Sequence, residues 1–114
     1  MALPVFLLRS AEEDLKDLKQ YLSQEFGLTS WRASYKSIKK AIETIAHFPL
    51  SGIIPQELIS IGQTQYRQVI SGMNRIIYEV KLSIHDEEQI YIHIITDVRK
   101  DLKSLLIRRL LHSK

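Results

Sequence analysis

The side chains of this 114-residue sequence best suited to act on a phosphate or a carboxylate are a few guanidinium, imidazole and phenol groups. Arg67 lies in a strand-like run, and a guanidinium on a sheet face can hold a phosphate or carboxylate in bidentate fashion. Its plain alternative is an exposed ion pair with Glu79 across the sheet, a contact that stabilises little. His93 and Tyr91 stand at i and i+2, so a strand would put them on one face. There they would suit an acid/base and a stacking residue for RNA cleavage, or ordinary cross-strand aromatic positions. Glu57 is a candidate base within a loop, or simply a solvated carboxylate.

Other chemistries are poorly served. No pair among His47, His85, His93 and His112 has i,i+4 spacing, so neither a metal site nor a cofactor is expected. Cysteine is absent, which removes disulfides and thiolate nucleophiles and points to a reducing cytoplasm. There is no glycine-rich phosphate loop and no G-x-S-x-G elbow. The apolar run at 3–8 is too short to span a bilayer and lacks the flanks of a signal peptide, so no membrane partner is expected. Net charge is +3, unevenly spread: Arg99, Lys100, Lys103, Arg108, Arg109 and Lys114 oppose Asp101 alone, a local +5. A basic end of this kind suits an acidic partner, nucleic acid or a carboxylate-rich protein.

The elements that must position these groups follow from periodicity. An apolar content of 45% is enough for one packed core, and residues 1–114 are expected to form a single domain. The opening run reads as a strand buried on both faces. Ser10 and Glu13 have capping-box spacing before the stripe Ala11, Leu15, Leu18, Leu22 and Phe26, and Gly27 supplies a stop. A second helix, capped by Thr29 or Ser30, carries Trp31, Tyr35, Ile38, Ile42 and Ile45 until Pro49 ends it. The two form an antiparallel hairpin.

Residues 50–64 read as a loop, followed by strand-like runs at 65–70, 74–82 and 89–96. Ser71-Gly72-Met73 marks a tight hairpin. Alternation assigns Ile76, Tyr78, Val80, Ile90, Ile92 and Ile94 to the face packed on the helices. The other face receives Arg67, Val69, Arg75, Ile77, Glu79, Tyr91, His93 and Ile95, a mixture that something must partly cover. A last helix over 100–112 has an apolar arc too wide for one contact. Leu105, Leu106, Leu110 and Leu111 are therefore expected to meet a partner chain as well as the core. The order is β-α-α-β-β-β-α, an α+β fold with an antiparallel sheet on a helical hairpin.

With these pieces in order, the sequence resembles the RelE/ParE superfamily of type II toxin–antitoxin toxins over about residues 4–111. The resemblance rests on SAEEDLKDLKQYL at 10–22, AIETIAHFPLSG at 41–52 and PQEL at 55–58. It continues through YRQVISGMNRIIYEV at 66–80 and DVRKDLKSLLIRRLL at 97–111. It implies a cytoplasmic bacterial toxin held by a cognate antitoxin, reaching operator DNA only through that complex. Its RelE-like branch cleaves mRNA on the ribosome, for which Arg67, Arg75, His93 and Arg99 are the candidate groups here. Its ParE-like branch, to which plasmid stabilisation proteins belong, inhibits DNA gyrase without nuclease residues. Where relatives often carry His or Tyr after the last strand, this chain has Thr96 and Asp97, and an acidic Asp97 repels an RNA phosphate. The leucine-rich last helix also resembles the ParE side. That side implies Arg67, Arg75, Arg99 and Lys100 as target-binding residues and Leu105, Leu106, Leu110 and Leu111 as the antitoxin seat. A non-toxic binding module is the remaining alternative.

Overall fold

The computed structural model describes residues 2–112, with side chains through Arg109. Strand β1 (Val5–Leu7) leads into helices α1 (Arg9–Phe26) and α2 (Leu28–His47). A one-turn helix α3 (Gln56–Ile59), β2 (Tyr66–Ser71), β3 (Asn74–Leu82), β4 (Glu88–Asp97) and α4 (Leu102–His112) follow. The α+β order is the expected one, with α3 added inside the stretch read as a loop. Leu58 is the reason: fully buried, it anchors that turn to the sheet.

The strands lie in the order β1-β4-β3-β2. β2, β3 and β4 form an antiparallel meander, whereas β1 joins β4 in parallel, so the sheet is mixed. β1 is half-buried, with Phe6 exposed, because it forms an edge and does not run through the middle.

Two apolar clusters sandwich the sheet. Ala11, Ile38 and Ile45 of the helical hairpin meet Ile76, Tyr78, Ile90, Ile92 and Ile95 on one face. On the other, Leu58, Leu102 and Leu106 cover Tyr66, Ile77 and Ile94. Burying a leucine or isoleucine fully is worth about 1.5–3 kcal/mol, so both layers are needed to hold so thin a sheet. No described helix is long and apolar enough to cross a membrane.

Helix boundaries differ from the sequence signals where tertiary contacts compete. α1 begins at Arg9 with no side-chain cap; the Ser10 hydroxyl instead donates to the carbonyl of His93, at 3.4 Å. α2 begins at Leu28 directly after Gly27, whose φ of +93° makes the sharp reversal between helices, so neither Thr29 nor Ser30 caps it. Glycine pays no Cβ penalty in that conformation. α4 starts later than expected, at Leu102, because Asp101 caps it by accepting from the Ser104 amide at 3.2 Å and hydroxyl at 2.7 Å.

Candidate functional site

The registers decide which charged groups share a surface. Ser71 pairs with Asn74 across a two-residue loop, Gly72-Met73, so odd residues of β2 pair with even residues of β3. Arg67 therefore stands beside Tyr78, and Val69 beside Ile76, on the helical-hairpin face. This corrects the expectation that Arg67 and Val69 share a face with Arg75. In β4, Ile92 pairs with Tyr78 and Ile94 with Ile77, leaving His93 as an extra residue. The bulge reverses the alternation beyond it, which sends Ile94 under α4 and Ile95 under the hairpin, the opposite of the simple pattern.

Arg67 has an internal task. Its Nη1 donates to the Gly52 carbonyl at 2.8 Å and lies 3.5 Å from the Leu50 carbonyl. Tyr78 reinforces the same loop: its hydroxyl donates to the Pro49 carbonyl at 2.7 Å and accepts from the Gly52 amide at 3.0 Å. Burial pushes the Tyr78 phenol above its ordinary pKa, so the donor form persists. The alternative of an Arg67–Glu79 pair is not realised either, since the two stand on opposite faces.

Arg75 lies on the α4 face and donates from Nη1 to Glu57 Oε2 at 3.2 Å, which makes Glu57 an anchor between α3 and the sheet. Arg99 and Lys100 sit exposed in the turn after β4. Asp97 clamps Arg99 through Nε, Nη2 and the backbone amide, each at 2.8 Å. Those bonds hold the Asp97 carboxyl down to about 2. Of the four leucines assigned to a partner, Leu106 is buried in the core and Leu105 is half-buried beside it. The wide apolar arc is thus partly consumed by Leu58, Tyr66, Ile77 and Ile94. The side chains of Leu110 and Leu111 lie outside the described residues.

His93 faces Glu79, with Nε2 3.0 Å from Oε1, and meets the Tyr66 ring edge-on at 5.1 Å. A carboxylate can only accept, so Nε2 carries the proton. The pair floors an open groove of about 600 Å³ whose rim includes Lys81, Leu82, Gln89 and Tyr91. Tyr91 stacks on Phe6, with ring centres 5.6 Å apart, and donates its hydroxyl to Gln89. Burial lowers the His93 pKa below 6.5, although Glu79 works against the shift. The unfolded chain then binds this proton more readily than the folded one. Stability is accordingly full above about pH 6.5 and falls as pH drops through that value toward the folded pKa. Urea midpoints measured between about pH 7.5 and 5 are expected to decline less in His93→Gln than in the parent chain; parallel declines would refute this assignment.

Sequence reasoning missed two features. Asp14 and Arg109 form a part-buried ion pair at 2.6 Å, linking α1 to α4. Ile53, Ile70 and Met73 stand exposed near the outer edge of β2, where Ile53 bridges to Gln68. Their exposure depends on which side the edge faces, which periodicity does not encode. Among the described residues, no three histidines or acidic side chains converge as a metal site would require. Arg67, Arg75, His93 and Arg99 are each engaged by a different partner and do not converge on one space.

A family model described as "ParE toxin of type II toxin-antitoxin system, parDE" matches residues 5–102. A solved structure titled "Chromosomal ParDE TA system from P. aeruginosa" aligns with a TM-score of 0.66 at 13% identity. The alignment covers 84% of this chain and 96% of that one, a likeness that concerns the fold. No curated protein matches the chain.

Proposed function

The chain belongs to the ParE toxin family of type II toxin–antitoxin systems, and from that premise we propose that it inhibits DNA gyrase by protein contact. A cognate antitoxin holds it inactive in the cytoplasm, and the complex of the two, not the toxin alone, recognises operator DNA. The family match over residues 5–102 carries this reading.

The dispersal of the ionic groups supports the same branch. Ribonucleolytic cleavage needs an acid and a base placed together at one phosphodiester, each worth roughly 10²–10⁴-fold. His93 is tied to Glu79, Arg75 to Glu57, and Arg67 to loop carbonyls on the far face of the sheet. Arg99 and Lys100 lie exposed beyond β4, where Lys100 is free to meet an acidic surface of the target while Arg99 is held by Asp97. For the antitoxin, Leu105 and the apolar edge at Ile53, Ile70 and Met73 offer the seat that the buried Leu106 cannot. Ile53 already pairs with both backbone groups of Gln68, so what this edge offers a peptide is its apolar side chains.

The test is direct. Relaxed plasmid incubated with gyrase, ATP and increasing amounts of the purified protein is expected to stay relaxed, and added antitoxin to restore supercoiling. Undiminished supercoiling at excess protein would overturn the gyrase reading. Cleavage of translated message that vanishes in His93→Ala would favour the ribonuclease instead. Growth unaffected by induced expression would leave only a binding module.

A further inference from the structure

Helix α2 turns Ile38, Ile45 and Ala46 into the core. Its exposed side carries Arg32, Lys36, Lys39 and Lys40. With 3.6 residues per turn these four fall within an arc of about 100°, and Arg32, Lys36 and Lys40 follow one another at roughly 6 Å along the axis. Glu43 is the only carboxylate on this helix, so four cations oppose one anion, a local +3. The neighbouring helix α1 is the reverse: Arg9, Lys16 and Lys19 against Glu12, Glu13, Asp14, Asp17 and Glu25. The net charge is therefore opposite in sign on two adjacent helices. None of the four cations forms an ion pair among the described residues. A shallow hollow of about 360 Å³ opens between their stems, lined also by Tyr35 and Glu43.

We propose that this stripe binds the sugar–phosphate backbone of duplex DNA. A duplex presents one negative charge per roughly 1.7 Å of its axis, a regular array that a straight row of cations spanning about 12 Å of helix can meet. The aromatic groups argue against a single strand. Trp31, four residues before Tyr35, stacks on its ring at 5.2 Å, while Lys39, four residues after, places Nζ 5.6 Å from the ring centre. Tyr35 is thus occupied from both directions along the helix and offers no open platform for a base. The contact reads phosphates and carries no sequence information, which separates it from operator recognition by the antitoxin complex. It does not rest on the gyrase reading.

Fluorescence anisotropy with a labelled 30-base-pair duplex tests the proposal on the full chain. Binding is expected to weaken by about 10²-fold from about 50 to about 200 mM salt, with a log–log slope of about −3 to −4 for three or four neutralised phosphates. Arg32→Gln, Lys36→Gln, Lys39→Gln and Lys40→Gln combined should flatten the slope to about −1 or less and abolish binding at the higher salt. Glutamine is a good helix former, so the exposed helix should survive, as circular dichroism would verify. Glu43→Gln should tighten binding several-fold, a gain that damage to the fold cannot imitate. Lys103→Gln with Arg108→Gln, on α4, should leave it unchanged. An unaltered slope in the fourfold variant, or tighter binding to the corresponding single strand, would overturn the proposal. So would binding to an acidic protein with none to the duplex.

Discussion

Replacing Asp14 by alanine is expected to destabilise the protein by about 3 kcal/mol, one of the two largest single effects outside the apolar clusters. The carboxylate serves three donors at once. Oδ1 accepts from Arg109 Nη2 at 2.6 Å, while Oδ2 accepts from Arg109 Nη1 at 3.0 Å and from the Ile95 amide at 2.9 Å. β1 pairs with β4 only from Ile90 to Ile92, so among the described residues the edge of β4 away from β3 has no strand beside it beyond that point. Asp14 stands in for the missing strand. Side-chain exposures of 13% for Asp14 and 22% for Arg109 mean that water cannot readily replace the lost partner. Removal therefore orphans the Ile95 N–H and leaves the guanidinium only its bond to the His93 carbonyl, and an unpartnered buried group costs roughly 1–3 kcal/mol by itself. Asp14→Asn should cost less, because an amide oxygen still accepts from Ile95. Urea denaturation of both variants checks the ordering; a loss below about 1 kcal/mol for alanine would contradict it.

The same pair fastens α4. Arg109 Nη1 also donates to the His93 carbonyl at 2.9 Å, so the guanidinium reaches past the sheet edge to join all three layers. In the sequence Asp14 reads as a charge that favours a helix N-terminus and Arg109 as the wet side of a terminal helix. Both readings are locally sound. The residues lie 95 positions apart, and no spacing rule couples positions so remote; only the parallel placement of a three-residue β1, which leaves half of β4 uncovered, brings them together.

What the sequence did disclose was periodic: the helical hairpin, the meander, the last helix and their order all follow from apolar repeats of 3.6 and 2. Faces were harder, for two definable reasons. Ser71-Gly72-Met73 reads as three turn residues, yet Ser71 belongs to the ladder, and a shift of one position moves every side chain of β2 to the opposite surface. That error placed Arg67 on the face of Arg75. The second reason is the bulge at His93. Four isoleucines, at 90, 92, 94 and 95, surround it, so either parity looks apolar and the pattern gives no sign of the inserted residue. A candidate site built on strand parity inherits both errors, whereas one built on a helix, such as the α2 stripe, does not depend on them.

Gly52→Ala is the second large effect, expected at about 3 kcal/mol or more. Its backbone is not in the left-handed region, so conformation alone would admit alanine; space does not. A Cβ would lie 2.6 Å from Tyr78 Oη, 2.7 Å from the Gln68 carbonyl oxygen and 2.9 Å from Tyr78 Cε1. Neither neighbour can retreat. The Gln68 oxygen is held by the Ile53 amide at 3.1 Å, and the phenol is fixed by its bonds to Pro49 and Gly52. Relief requires lifting residues 49–53 from β2, which would also release Arg67 from its carbonyl partners. A double-mutant cycle separates crowding from lost hydrogen bonds. Tyr78→Phe alone should cost about 1–3 kcal/mol by orphaning the Gly52 amide. Combined with Gly52→Ala it removes the nearest clashing atom, so the pair should be less destabilised than the two single losses added together, by at least about 1 kcal/mol. Strict additivity would mean that the loop moves freely, and with it would fall the assignment of Arg67 as a structural clamp.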